Sequence, residues 1–328
     1  MTNFKSLFYS TFGSLLAVLL LLGGMVVWID PYQRYRMSDR YISNQRLEIA
    51  GVAHTHDYNA FVTGSSMAMN HFPEQVDSLF EGWRTKNFSI MGATYDDYQD
   101  MFPYMLSQGK VKHIINDLDF FSFARNRRTV DAYLYNDNLW DDYEYLYNFT
   151  TFKNCWVKCF SPVGEKGLYH FKSPNNLEVL QEAYEKTKNG KSFEGEYFDF
   201  ASMKDKFDGY YLPLVQEVGK DVEWYIYFPP YSIYEFVAYQ DYGYLEDILQ
   251  FKAYIISRLL PLENVRLYDF QCDPWITNVH EYMDLRHHSI EYNRQIIEAI
   301  RKDEYRVTEE GYPAQMERLK RLIHSEIN

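Results

Sequence analysis

The chain has few cysteines and no excess of positive charge, and each absence excludes a class of protein. Its 328 residues include three cysteines, too few for the disulfide framework of a small secreted scaffold. No Cys-x-x-Cys pair is present, so the sequence has no zinc-finger pattern. The formal net charge is −13. This balance disfavours nucleic acid as a partner, because phosphate binding needs clustered Lys and Arg.

Internal repeats and long low-complexity tracts are also missing from the sequence. The residues that are present favour a folded protein, since 46% are hydrophobic and 18% are aromatic, including 31 tyrosines. The length suits one large domain or two small ones with a buried core. Cys155 and Cys159 stand four residues apart and could pair, which would leave Cys272 unpaired. Three reduced thiols are the alternative.

A long uncharged run begins at Ser6 and ends at Ile29. About 24 residues at roughly 1.5 Å each can cross a hydrocarbon core of about 30 Å. Trp28 stands where an aromatic side chain would anchor at the membrane interface. The run therefore predicts an uncleaved, single-pass membrane anchor over residues 1–30, with a cleaved signal peptide as the alternative.

The charges beside this run bear on its orientation. Lys5 precedes the run, whereas four arginines follow it within residues 34–46, and this bias favours a cytoplasmic domain. Long domains cross membranes largely regardless of such charges. Together with the family resemblance given below, this leads us to predict a bacterial cell-membrane protein whose large domain faces outward.

Beyond a polar connector at residues 31–57, apolar strand patterns alternate with helical patterns. Alternating β and α units predict a parallel sheet with helices on both faces. We therefore expect a three-layer α/β/α domain over residues 58–328, flavodoxin-like, with about five parallel strands and its ligand site at their carboxyl ends. The predicted strands are Asn59–Thr63, Thr85–Ile90, Lys112–Leu118, Val222–Phe228 and Asn264–Phe270. The predicted helices are Ser43–Ala50, Pro73–Phe80, Tyr95–Ser107, Met203–Glu217, Tyr244–Leu259, Ile290–Lys302 and Pro313–Ile327.

The alternation breaks over residues 121–200, where tyrosines and aspartates are interleaved between positions 131 and 147. A segment this aromatic is unlike a disordered linker. We interpret it as an insertion packed over the edge of the sheet, where it would form a wall or lid of the ligand cleft. A structural excursion with its own small core is the alternative.

The first predicted strand ends in Gly64-Ser65-Ser66. A serine at this point would stand where the next helix begins, and there the helix dipole and free backbone amides favour developing negative charge. Gly64 lets the chain turn without a Cβ clash. The motif is typical of a nucleophilic serine, but a simple helix cap at Ser65 or Ser66 would use the same residues.

A second motif, Asp284-Leu285-Arg286-His287, follows the last predicted strand. Its three-residue spacing lets one turn bring the carboxylate and the imidazole to the same rim of the sheet. There Asp284 would orient His287, and His287 would take a proton from a serine. A helix-start aspartate beside a surface histidine is the alternative, and the adjacent His288 is a second candidate for the base.

These two motifs resemble conserved blocks of the SGNH (GDSL-type) hydrolase superfamily, in which a Gly-Asp-Ser-like block follows the first strand and an Asp-x-x-His block follows the last. Within that superfamily the chain is similar to membrane-anchored members of two kinds, the teichoic acid D-alanine transfer protein and the exopolysaccharide acetyltransferase-like proteins. The resemblance spans most of residues 61–301 by the order of elements and is specific at about four short blocks.

The resemblance implies a Ser-His-Asp triad in which Ser66 is the nucleophile, His287 the general base and Asp284 its partner. Ser65 stands where the family usually has Asp, which is a departure from the pattern.

The resemblance also implies two further blocks that bind the oxyanion. Gly92 matches the glycine of the second block, whose amide donates to the oxyanion. The third block should supply an asparagine. Here Asn116 and Asp119 are rival matches, because the glycine that normally precedes the asparagine is missing and Asn116 falls early, inside the predicted strand.

The implied activity is that of a serine esterase or O-acyltransferase acting on cell-surface glycopolymers, with an acetyl or D-alanyl group as the acyl and with no metal or organic cofactor. The implied partners are a polysaccharide or teichoic-acid-like substrate, the lipid bilayer and a membrane-embedded acyl-transfer protein. A catalytically inactive glycan-binding or scaffold protein of a cell-envelope acylation or export system is the alternative.

Overall fold

A computed structural model describes residues 2–126, 130–161, 182, 184–185, 193 and 196–327. The chain divides into two compact units. The first, here called the N-terminal unit, comprises Met1–His56 and Val130–Tyr169. The second, here called the sheet unit, comprises Asp57–Thr129 and His170–Asn328 and contains every strand of the central sheet.

The sheet unit is built on five parallel strands in the order β2-β1-β3-β4-β5. The α/β prediction with about five parallel strands is therefore confirmed, and helices flank the sheet as expected. Each strand lies within one to three residues of its predicted bounds, because an apolar run bounded by polar residues marks a buried parallel strand well. The strands are β1 (Ala60–Thr63), β2 (Thr85–Asn87), β3 (His113–Asp117), β4 (Glu223–Phe228) and β5 (Val265–Asp269).

The strand β1 lies between β2 and β3, one strand in from the edge of the sheet, and carries the serine motif at its carboxyl end. All four of its residues are buried, as a strand covered on both faces must be. Val62 pairs with Asn87 of β2 on one side and with Ile115 of β3 on the other. The carboxyl ends of these three strands therefore meet at one edge, where the loops that follow them come together.

The described helices of the sheet unit connect the strands and follow the last one. The segment predicted as one helix over Met203–Glu217 differs, because it begins as an α-helix and continues as two π-helical segments, Phe207–Tyr211 and Leu214–Val218. Gly209 and Pro213 lie in this stretch, and both residue types disfavour a regular α-helix. The helix Ile233–Asp241 was not predicted. The helices are α3 (Pro73–Leu79), α4 (Tyr95–Gln108), α5 (Phe121–Ala124), α8 (Phe200–Lys206), α9 (Ile233–Asp241), α10 (Leu245–Leu259), α11 (Ile290–Arg301) and α12 (Tyr312–Ile327).

The N-terminal unit contains four α-helices among its described residues. They are α1 (Thr2–Ile29), α2 (Gln45–Thr55), α6 (Asp142–Leu146) and α7 (Phe149–Phe160). Within α1, the stretch Phe4–Ile29 is the one helix among the described residues that is long and apolar enough to cross a membrane. A signal sequence would satisfy the same criteria of length and composition.

The aromatic insertion predicted over residues 121–200 is divided by these units. Residues 130–169 group with residues 1–56, whereas the predicted boundary kept the whole insertion in the large domain. A physical reason lies in the buried hydroxyl of Tyr145, which donates to Asp30 at 2.8 Å. Most of residues 162–195 lie outside the described residues, so the wall or lid stays a prediction.

All three cysteines are free. Cys155 and Cys159 both lie on α7, four residues apart on one regular helix. Residues so placed have Cβ atoms about 5–6 Å apart, whereas a disulfide needs about 3.5–4.5 Å. The helix would therefore have to unwind before these two thiols could pair.

Candidate active site

The serine motif lies in a tight turn, residues 64–71, that directly follows β1. The amides of Ala68, Met69 and His71 each donate to the carbonyl three residues earlier, and the helix α3 begins only at Pro73. The expectation that a helix starts at the serine is therefore wrong. Ser66 lies in a turn, so individual amides rather than a helix dipole would have to stabilise an oxyanion formed there.

The two serines of the motif have different surroundings, which separates their roles. Ser65 is fully buried, and its hydroxyl lies 3.1 Å from Asp117 and 2.9 Å from Asp119. Ser66 is partly exposed, and its hydroxyl lies 2.7 Å from Nε2 of His287. Ser65 therefore holds the turn, and Ser66 presents its hydroxyl to the imidazole.

Gly64 lets the carboxylate of Asp117 approach the turn. A Cβ atom on residue 64 would lie 1.6 Å from Oδ1 of Asp117, and the φ angle of +141° is one that L side chains rarely adopt. The carboxylate uses the space to accept from the Ser65 amide at 2.9 Å. Glycine is thus required here both by space and by backbone conformation.

The buried pair Asp117 and Asp119 shares one hydroxyl. Burial, and then the neighbouring Asp119 carboxylate, raise the pKa of Asp117 well above its usual value. A protonated Asp117 can donate to the Ser65 oxygen, which leaves the Ser65 hydrogen for Asp119. Asp119 also accepts from the Phe121 amide at 3.0 Å and from the Tyr231 hydroxyl, so its charge is well satisfied.

Two buried asparagines hold the rest of the serine turn. The side-chain amide of Asn87, at the end of β2, donates to the carbonyls of Ala68 and His71, each at 2.9 Å. The side-chain amide of Asn293, on α11, donates to the carbonyl of Met67 at 2.7 Å. The turn is therefore fixed by neutral hydrogen bonds from a strand on one side and from a helix on the other.

Asp284 and His287 lie in a second turn, residues 283–287, which is closed by a hydrogen bond from the Met283 amide to the His287 carbonyl. Nδ1 of His287 lies 2.7 Å from Oδ2 of Asp284, and the His287 amide donates to Oδ1 at 2.7 Å. The carboxylate thus fixes the ring through its Nδ1–H tautomer, which leaves Nε2 as an acceptor for the Ser66 hydroxyl.

The ionisation of Asp284 suits this geometry. Burial by itself would raise its pKa, but the hydrogen bonds and the charge of His287, together with the Arg286 amide, outweigh that effect and lower the pKa to about 2. Asp284 is therefore a carboxylate over the whole physiological range. Such a group can stabilise an imidazolium that forms next to it.

The side chain of Arg286 anchors the same turn to a buried ionic cluster. Its guanidinium donates to Glu196 at 2.8 Å and to Glu235, and Glu196 also pairs with Arg125 at 2.9 Å. Both glutamates are almost fully buried. Since a buried ion pair is fixed in position by its paired hydrogen bonds, the backbone on each side of Arg286 is fixed with it.

No protein-family model and no curated protein matches this chain. Solved structures do match, among them one described as a candidate platelet activating factor from Streptococcus pneumonia. That structure is 12% identical with a TM-score of 0.41, over 88% of this chain and 97% of the other. A likeness this distant identifies neither a family nor an activity, so the SGNH resemblance stays a prediction.

Gly92 lies in the loop after β2, with a φ angle of +63°. This loop runs beside the serine turn, because the Ile90 amide donates to the Gly64 carbonyl at 3.0 Å. Within the described part of the chain, the amides of Ser66 and Gly92 donate to no acceptor. The oxyanion role of these two amides stays a prediction.

Asn116 and Asp119, the rival third-block residues, face buried partners. The side-chain NH₂ group of Asn116 donates to the carbonyls of Thr63 and Asp117 at 3.2 and 2.9 Å. Its side-chain oxygen accepts from the Tyr211 hydroxyl. Both of its amide hydrogens are thus engaged. Asp119 binds Ser65, as described above, and has no hydrogen to donate as a carboxylate. Neither side chain provides a free donor beside Ser66.

His288 was the second sequence candidate for the base, and it lies against the same cleft. Burial, followed by the charges of His71 and His287, lowers the pKa of His288 to about 3, so its ring is neutral near pH 7. Neither ring nitrogen makes a hydrogen bond to a described residue, although the Pro230 carbonyl lies nearby. The hydroxyl of Ser66 is hydrogen-bonded to His287 rather than to His288. The cleft is lined by Ser66, Met67, Asn70, His287, His288 and Asn293.

Sequence reasoning missed Asp117, Asn87, Asn293 and the partners of Arg286. One of them carried a readable signal: Asn293 interrupts the apolar stripe of α11, and a polar residue in such a stripe usually has a buried partner.

The described residues contain no cluster of three His, Cys, Asp or Glu side chains able to hold a metal ion.

Proposed function

We propose that this protein is a membrane-anchored serine esterase or O-acyltransferase that works through Ser66, His287 and Asp284. The observation that carries the proposal is the continuous chain of contacts from the Ser66 hydroxyl to Nε2 of His287, and from Nδ1 to Asp284, each at 2.7 Å. Geometry of this kind activates a serine that is otherwise a weak nucleophile.

In the proposed reaction the oxygen of Ser66 attacks the carbonyl carbon of an ester, and Nε2 of His287 takes the hydroxyl proton. The amides of Ser66 and Gly92 stabilise the oxyanion. The imidazolium, paired with Asp284, then returns the proton to the departing alcohol as the carbon–oxygen bond breaks. The acyl group remains on Ser66.

The second half of the reaction decides between hydrolysis and transfer. His287 takes a proton from water or from an acceptor hydroxyl, whose oxygen attacks the acyl carbon and releases Ser66. The resemblance to envelope acyltransferases supports a cell-surface glycopolymer as acceptor and an acetyl or D-alanyl group as the acyl. It also supports an outward-facing domain and a membrane-embedded acyl-transfer protein as partner.

A fluorophosphonate probe tests the proposal directly, because such probes react with activated serines. We expect the full chain in detergent to become labelled at Ser66, as located by peptide mass spectrometry, and Ser66→Ala to remain unlabelled. Ser89→Ala is a matched control, since Ser89 is buried and its hydroxyl has no partner among the described residues. An unlabelled but folded wild-type chain would overturn the enzyme proposal.

A second candidate function, an inactive glycan-binding or scaffold module, is favoured by one observation. The third-block position provides no side-chain donor, because both amide hydrogens of Asn116 are engaged in the fold. Binding of a glycan by a chain that does not react with the probe would support this second function.

A further inference from the structure

The N-terminal unit has a patch of exposed aromatic and apolar side chains on α7 and on the segment before it. Trp140 is 88% exposed, Phe149 84%, Phe160 80% and Trp156 69%. Isolated exposed apolar residues are ordinary, but several in one short segment mark an interaction site. We call this set the aromatic surface, and it comprises Leu139, Trp140, Tyr143, Tyr147, Phe149, Trp156 and Phe160.

The helix α7 divides into two faces. Thr151, Cys155 and Lys158 are buried, whereas Phe149, Trp156 and Phe160 are exposed, at spacings of seven and four residues. This spacing puts the three large side chains on one side of the helix. The outward face of the helix thus carries three bulky apolar side chains, with the exposed Lys153 among them. A lysine at such a place can lay its apolar stem along the surface and keep its amine in water.

The α7 helix contacts the residues that directly follow α1. The side-chain amide of Asn154 donates to the Tyr32 hydroxyl at 2.9 Å, and the amine of Lys158 lies 3.4 Å from the Pro31 carbonyl. Farther back along α1, the Tyr147 hydroxyl lies 2.9 Å from where a Cβ on Gly23 would be. The aromatic surface therefore adjoins the last turns of the apolar helix.

The depth of this contact can be estimated. Gly23 lies six residues before Ile29, which is about 9 Å along a helix at 1.5 Å per residue. Side chains on α1 before Gly23 are largely exposed, whereas Gly23, Val26 and Asp30 form a buried stripe. If α1 spans a bilayer with Trp28 at the interface, the side chains around Tyr147 lie within about 9 Å of that boundary, on its hydrocarbon side. An interfacial amphipathic helix buries its apolar face to a similar depth.

The end of α1 is also built into the folded unit. Asp30 accepts from the amides of Arg34 and Tyr35 at 2.8 and 2.9 Å, and Arg34 forms a buried ion pair with Asp142 at 3.1 Å. These contacts all lie after residue 25, so they fix the segment that follows α1 whether or not α1 is removed. Cleavage near residue 25 would remove Gly23 and, with it, the close approach of the Tyr147 hydroxyl to α1. That contact is the one that fits a retained anchor.

We propose that the aromatic surface lies in the interfacial layer of a phospholipid bilayer, beside a retained α1. Trp and Tyr favour this layer because their rings are apolar and their N–H or O–H groups reach water. An amphipathic helix lying in the interface plane buries its apolar side against the acyl chains. The proposal is independent of the chemistry at Ser66.

The test uses the full chain in liposomes, with a fluorophore on the exposed thiol of Cys159, next to Phe160 on α7. Cys272→Ser removes the other accessible thiol, and Cys155 is buried. The control carries the label at an exposed position outside the surface, through His54→Cys with Cys159→Ala and Cys272→Ser. Quenching by doxyl-labelled phosphatidylcholine and by aqueous iodide is measured for both.

We expect doxyl lipids to quench the label at residue 159 several-fold more than the label at residue 54, and iodide to show the reverse order. The intact mass should also show that α1 is present. A residue-159 label that doxyl lipids do not quench would overturn the proposal, whether iodide reaches the label from water or a second copy of the chain shields it. Mature protein lacking residues 1–25 would overturn it as well.

Discussion

The two turns that meet at the candidate active site are held by opposite electrostatics. The serine turn, residues 64–71, is fixed by neutral hydrogen bonds and by Asp117, whose pKa is raised. The base turn, residues 283–287, is fixed by the Arg286 ion cluster and by Asp284, whose pKa is lowered to about 2. The serine turn thus rests on a buried carboxyl pair, Asp117 and Asp119, in which Asp117 favours its protonated form, whereas the base turn rests on a carboxylate that stays ionised.

The difference suits the reaction proposed above. In that reaction the serine turn would hold a neutral hydroxyl in place, and the fixed donors of Asn87 and Asn293 hold the turn without adding a charge. The base turn would accept a positive charge on His287, which a permanent carboxylate beside the ring stabilises. Substitutions that affect only one turn therefore test the two turns separately.

The largest expected effect is at the carboxylate of the base turn. Asp284→Asn should lower the rate of fluorophosphonate labelling at Ser66 by about 10⁴-fold, because the imidazole loses both its tautomer and its counter-charge. The rate is measured under single-turnover conditions. The control is His280→Ala, an exposed histidine a few residues earlier, which should label at the wild-type rate. Equal rates for all three proteins would remove Asp284 from the mechanism.

The next largest effect should come from the ion cluster of the base turn. Arg286→Met leaves Glu235 buried without its cation and Glu196 with Arg125 alone, and we expect a loss of about 3–5 kcal/mol in the free energy of unfolding. Adding Glu235→Gln should recover part of that loss. Urea unfolding of the full chain in detergent measures both.

Arg294→Ala serves as the control for this cluster. Arg294 pairs with Glu291 on the exposed side of α11, and such surface pairs contribute at most about 1 kcal/mol. A loss for Arg286→Met as small as that for Arg294→Ala would show that the base turn does not depend on the cluster.

Substitutions in the serine turn should lower the free energy of unfolding by less than Arg286→Met does. The effects at its two carboxyl groups should also be unequal. Asp119→Asn places an amide where the Ser65, Phe121 and Tyr231 donors converge, and we expect it to destabilise the fold by about 1–3 kcal/mol. Asp117→Asn reproduces the shape and donor of a protonated acid, so its effect should stay under about 1 kcal/mol. The reverse order in urea unfolding would put the shared proton on Asp119.

The smallest effects, and the most diagnostic, are in the pH dependence of stability. The folded pKa of Asp117 is raised, so its contribution is present at low pH and is lost as the pH rises through that value. Asp117→Asn should therefore gain stability relative to wild type as the pH rises. For Asp284 the folded pKa of about 2 lies below the unfolded value of about 3.9.

The stabilisation that Asp284 contributes is accordingly present above about pH 4 and is lost as the pH falls toward 2. The difference between wild type and Asp284→Asn should thus shrink on acidification, opposite in direction to the trend for Asp117→Asn. Unfolding curves recorded across the pH range measure both trends. Parallel trends would mean that the two turns do not differ electrostatically.

The sheet could be predicted from the sequence because its signal is local. Each strand is a short apolar run between polar residues, and the alternation with helices specifies parallel pairing. The same approach picked out Ser66, Asp284 and His287, which the fold brings within hydrogen-bonding distance. Their catalytic roles remain predictions.

Other parts of the site depend on contacts that no local pattern contains. Asp117 reaches Ser65 from a neighbouring strand, and Glu196 reaches Arg286 from 90 residues away. The direction in which Asn116 points depends on where β3 ends, because a shift of one residue turns a strand side chain to the opposite face. Only the packed structure resolves such choices.

The absence of a side chain at position 64 is a requirement that can be checked in any related sequence. Any other residue there would collide with the carboxylate of Asp117 and would also have to adopt a φ angle of +141°. Shortening residue 117 would remove the collision but leave the backbone strain. A distant sequence aligned to this one with alanine or serine at position 64 therefore cannot form the same turn, and a role for its counterpart of Ser66 should not be inferred from the alignment.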